Sequence, residues 1–131
     1  MCEKCEFSLQ SVWGQLQEGA QFRTPDNQTG ADFEIGNIQT ESIHINPQNI
    51  TISRTAFAAA LHYLRENNHF VDNPCRIGAN NDPADAGPFC LASRQENNNV
   101  RCSTYILPVL EEFGIVGING AKRPNTTWLT E

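Results

Sequence analysis

Three runs of apolar residues on alternate positions constrain this chain more than any other feature. Phe33 and Ile35, then Ile43 and Ile45, then Ile50 and Ile52 are each separated by one residue. A period of two turns one side of a strand to a core and leaves the other in water. Turn chemistry falls between the runs: Pro25-Asp26-Asn27 with Gly30, and Asn46-Pro47-Gln48-Asn49. With QFRT around Phe22 as a first short strand, residues 20–53 read as a four-stranded antiparallel meander. Ahead of it, Leu9, Val12, Trp13 and Leu16 have the spacing of a short amphipathic helix that ends near Gly19.

The pattern changes after Ile52. Ser53 is a good N-cap, and TAFAAALHYLRENN puts Phe57, Leu61 and Leu64 on one helical face up to Asn67–Asn68. Residues 69–85 have no period and are rich in Pro, Asn, Asp and Gly. A connection this long inside a compact domain is usually functional or mobile, and Arg76, Asn80 and Asn81 make it a candidate recognition loop. Asp82 or Asp85 is expected to cap a helix over about 86–94, and QENNN at 95–99 is a turn. Ile106, Leu107, Leu110 and Phe113 predict a further helix over about 101–113. Pro108 falls inside it, where a regular helix loses a donor and meets a clash costing roughly 3 kcal/mol, so a kink or an irregular first turn is expected. Gly114 fits the left-handed stop. Ile115, Val116 and Ile118, then a turn from Asn119-Gly120, then Thr126–Thr130 complete a hairpin.

The order of these pieces resembles a winged helix-turn-helix of the kind found in bacterial DNA-binding regulators. The resemblance is carried by the pair Leu91-Ala92, the polar turn after it, the ending Leu110-Glu-Glu-Phe113-Gly114-Ile115-Val116, and the closing Trp128-Leu129-Thr130-Glu131. It covers residues 89–131, or 53–131 if the helix after Ser53 supplies the first helix. The turn at 95–99 is longer than the usual tight one. The resemblance implies an α+β chain in two parts: an N-terminal helix and small antiparallel β-meander over 1–52, then a C-terminal winged helix over 53–131. It also implies double-stranded DNA as partner. The second helix would present Arg101, Ser103, Thr104 and Tyr105, and the wing would bring Lys122, Arg123 and Asn125. A homodimer would fit, because one small module offers few phosphate contacts. Winged helices also serve as adaptors that bind another protein, which is the alternative expectation.

Charge bears on these readings. The 131 residues carry a net charge of −6, which argues against nonspecific coating of nucleic acid. The excess is uneven. Residues 1–72 hold nine Asp/Glu against four Lys/Arg, and residues 73–131 hold six against five, so a local basic patch is expected only in the second part. Five cysteines are an odd number, which fits free thiols in a reducing cytoplasm better than a disulfide framework. Cys2-x-x-Cys5 has zinc-knuckle spacing but no second pair, so no metal or other cofactor is expected, and a metal-stabilised accessory subunit is only a third reading. No apolar run could cross a membrane. There is no phosphate loop, nucleophile elbow or H-E-x-x-H sequence. Asp32 and Glu34 share a strand face without a lysine nearby, so a non-catalytic protein is expected.

Overall fold

The computed structural model describes residues 3–131. The chain is α+β, with helices packed against a four-stranded antiparallel sheet and a smaller three-stranded one. Helix α1 (Glu3–Gln15) buries Cys5, Leu9 and Val12, a spacing of four and three that forms one stripe. Gly19, at φ +90°, then turns the chain into the sheet. Strands β1 (Gln21–Arg23), β2 (Asp32–Ile38), β3 (Ser42–Asn46) and β4 (Ile50–Ser53) lie side by side in chain order. The pairs Phe22↔Phe33, Ile35↔Ile45 and Ile43↔Ile52 set the register. They bring Phe33, Ile35, Ile43, Ile45 and Ile52 to the buried face, each with almost no exposed surface.

Strand β4 runs directly into α2 (Arg54–Glu66), so the boundary expected at 52/53 contains no linker. Ser53 explains the abrupt start. Its hydroxyl accepts from the Ala56 amide at 3.1 Å and donates to the Glu96 carbonyl, and its own amide donates to Asn97 Oδ1 at 2.9 Å. One residue thus caps α2 and fastens it to the turn after the next helix. On the other side, Trp13 meets Phe57 edge-on at 5.1 Å. Arg54 stacks over Trp13 at 5.3 Å while pairing with Glu6 at 2.8 Å.

The second sheet is assembled from distant pieces. Strand β5 (Cys75–Arg76), helices α3 (Pro88–Gln95) and α4 (Ser103–Glu112), and strands β6 (Val116–Asn119) and β7 (Thr126–Leu129) follow, with the sheet ordered β5-β7-β6. Residues 69–85 are therefore not wholly irregular. Arg76 pairs with Thr126 and Cys75 with Thr127, about fifty residues along the chain. Helix α3 is not capped by Asp82 or Asp85. Gly87 occupies the N-cap and Pro88 the first helical position, where a missing amide costs nothing. Asp82 instead accepts from the Ala84 amide in a turn. Gly114, at φ +74°, ends α4 as expected, and Pro108 sits inside that helix without ending it.

One continuous set of buried side chains runs from Leu9 and Ile35 through Phe57 and Leu64 to Ile106, Leu110 and Leu129. The two segments thus share a core. Phe57→Ala is expected to destabilise the protein by about 3–5 kcal/mol, as for large aromatic deletions in cores. Urea unfolding followed by far-ultraviolet circular dichroism and by tryptophan fluorescence should remain a single coincident transition. Two separate transitions would contradict the shared core.

Candidate functional site

The β1–β2 turn, strand β5, the start of α4 and the β6–β7 turn converge around an open cleft of about 900 Å³. Its walls include Pro25, Asp26, Arg76, Ile77, Gly78, Arg101, Thr104, Tyr105, Arg123 and Asn125. Six residues singled out in the sequence for DNA contact or loop recognition are therefore brought together here: Arg76, Arg101, Thr104, Tyr105, Arg123 and Asn125. Lys122 is exposed on the turn beside Arg123.

The cleft is held in shape by Asp26. Its carboxylate accepts from Arg123 Nε at 3.0 Å and Nη2 at 3.3 Å, from Asn125 Nδ2 at 2.9 Å, and from the amides of Gln28 at 2.8 Å and Thr29 at 2.9 Å. The Arg123 guanidinium is the largest of the influences that hold this carboxyl well below the usual carboxylate range, with the Asn125 amide next. The Asn27 amide adds a bond to the Gly120 carbonyl at 2.9 Å. Position 120 must be glycine, because any Cβ there would collide with the Pro25 carbonyl oxygen. The turn of the first sheet and the turn of the second are thereby locked together.

A second brace holds the opposite wall. The backbones of Gly78 and Gly87 touch, with a bond from the Gly87 amide to the Gly78 carbonyl at 2.8 Å, and Gly78 has φ +58°. Arg94, only 5% exposed, donates to the carbonyls of Asn80, Asn81 and Asn99 at 2.9–3.2 Å. Asn80 and Asn81 therefore do not line the cleft. Their carbonyls are anchored inward, and Asn80 Oδ1 accepts from the Asp82 amide. Arg94, which belongs to no motif in the sequence, is the residue that orders this loop.

The proposed presenting face of α4 is largely covered. Ser103 is fully buried, and Tyr105, 6% exposed, packs edge-on against Phe33 at 5.2 Å. Phe33 of the meander lies over Tyr105, and with both side chains buried neither Ser103 nor Tyr105 can lie along a groove of DNA. Arg101 and Thr104 remain partly exposed at the helix start. Among the described residues, neither Arg76 nor Arg101 has an ion pair or side-chain hydrogen bond. Thr104 Oγ1 and Asn125 Oδ1 are buried without a hydrogen-bond partner. With Asp26 and Arg123 offsetting each other, the cleft walls carry two uncompensated positive charges.

Metal chemistry finds no comparable cluster. Among the described residues no group of three His, Cys, Asp or Glu side chains gathers to hold an ion. Cys2 of the Cys2-x-x-Cys5 pair lies outside the described residues. Burial pushes the Cys75 thiol up to about 11 and the Cys102 thiol up to about 12, so both are protonated at neutral pH. No described helix is long and apolar enough to cross a membrane. Comparison with protein-family models, with curated proteins and with solved structures returned no match.

Asp26→Asn is expected to speed amide exchange at Asn27 and around Gly120 while leaving the circular dichroism spectrum unchanged. The sign of the pH effect follows from the depressed carboxyl. Its contribution is fully present above about pH 4, the unfolded carboxylate value, and is lost only as pH falls through the lower folded value. Protection of the wild-type Asn27 amide, corrected for intrinsic rates, should therefore stay level from about pH 5 to 8. A steady decline across that window would contradict the clamp.

Proposed function

We propose that this chain is a non-catalytic DNA-binding protein with a winged-helix C-terminal part, which meets DNA through the rim of the cleft and the wing turn. The chain order α2–β5–α3–α4–β6–β7 supports the winged-helix reading: a brace helix, a second helix, and a hairpin that returns beside a strand from before the brace. The observation that carries DNA binding is the distribution of cations. Residues 73–131 hold Arg76, Arg94, Arg101, Lys122 and Arg123. Arg94 is buried; the other four stand on the cleft or on the turn at its edge. In a chain of net charge −6, such grouping gives a local field that attracts phosphate while the remainder repels it. Contacts of this kind position a protein on a duplex.

The burial of Ser103 and Tyr105 favours a second reading, in which the same module is an adaptor that binds an acidic segment of another protein. Salt dependence on a duplex separates the two. If Arg76, Arg101 and Lys122 each neutralise one phosphate, the logarithm of the association constant should fall with the logarithm of salt with a slope of about −3. Arg101→Ala should reduce that slope by about one, and Lys122→Ala by about one as well. Fluorescence anisotropy with labelled duplexes measures both. Binding that stays in the nonspecific range of about 10⁻⁴–10⁻⁶ M and ignores both variants would sink the DNA reading.

A further inference from the structure

We infer that the interior of the cleft is a nucleotide site, taking one base with its phosphate on Arg76 and Arg101. The inference rests on the nucleic-acid reading of the same cleft and goes further, because contacts to a duplex backbone need only a rim. The open cleft of about 900 Å³ has the volume of a small-molecule site, about 300–1,000 Å³.

The chemistry of the walls selects the class of ligand. Two unpaired guanidiniums match a phosphate monoester, which carries about −1.5 to −2 charge at neutral pH. A bare anion would leave the other wall unused. Asp26 takes the Nδ2 hydrogen of Asn125 at 2.9 Å, which fixes the amide and leaves Oδ1 as an acceptor without a donor in a residue that lines the cleft. That oxygen is buried, and Thr104 Oγ1 is buried without a partner as well. Buried polar atoms without partners are rare in proteins, and a bound group is one explanation for them. The ligand that satisfies both walls therefore carries an N–H donor as well as anionic oxygens. Ile77, Ala79 and Pro124 add apolar surface between these polar groups, as a planar base requires. A nucleotide has all three properties.

The test uses the full chain, isotopically labelled, and follows its amide resonances. The probes are the four deoxynucleoside 5′-monophosphates and, separately, inorganic phosphate at the same millimolar concentrations. At least one nucleotide should shift the amides of Ile77, Gly78, Thr104 and Asn125, with phosphate binding about tenfold more weakly. Arg76→Ala/Arg101→Ala should abolish the shifts. Asn125→Ala should remove the preference for the nucleotide over phosphate. Shifts with none of the four nucleotides, shifts elsewhere on the protein, or equal affinity for phosphate and nucleotide would each overturn the site. Duplex binding by anisotropy on the same sample separates the two proposals. A duplex that binds while every nucleotide fails leaves the DNA reading standing and this site refuted. Nucleotides that bind while every duplex fails do the reverse.

Discussion

The carboxylate of Asp26 is the point on which the upper part of the molecule depends. Five hydrogen bonds converge on its two oxygens, two from backbone amides of its own turn and three from side chains of the β6–β7 turn. The first set shapes the turn, and the second ties it to a segment about a hundred residues later. Together with the bond from the Asn27 amide to the Gly120 carbonyl, that tie fixes the β1–β2 turn against the β6–β7 turn and so sets the roof of the cleft. The same contact has a chemical consequence. It neutralises Arg123 and aligns Asn125, so the charge left over in the cleft belongs to Arg76 and Arg101.

On the winged-helix reading proposed above, α4 is the helix that would face outward. Instead Phe33 of the meander packs on Tyr105, and α4 is an interior element from Tyr105 to Leu110. What stays accessible is the start of the helix, the end of β5 and the β6–β7 turn. On that reading the contact surface lies at the mouth of a cleft and not on a helix face. It also explains how an acidic protein can present a cationic site. Most of the acidic excess lies in residues 1–72, and the one acidic group at the cleft is already consumed by a wing arginine.

Much of the fold could be read from the sequence because the relevant signals are local. Alternation at Phe33, Ile35, Ile43 and Ile45 gives the strands, Ser53 gives the start of α2, and Gly114 gives the end of α4. Strand β5 could not be read, since two residues, Cys75 and Arg76, have no period and their partners lie some fifty residues away. The burial of α4 did leave a trace. Five successive apolar residues, Ile106 to Leu110, give a helix without a wet face, and such a helix belongs inside. The cations of the site were legible as residue types, as was the turn containing Asp26. Their convergence was not, because it depends on a carboxylate and an arginine meeting across ninety-seven positions.

The central claim is that DNA meets the cleft mouth and wing, with α4 covered by the meander. Hydrogen-exchange mass spectrometry of the protein with and without a duplex addresses it directly. Slower exchange confined to residues 76–79, 101–104 and 120–125, with the outer faces of α1 and of the first sheet unchanged, is the predicted footprint. Protection centred on α1 or on the outer face of the meander, with none at the cleft mouth, would contradict the account.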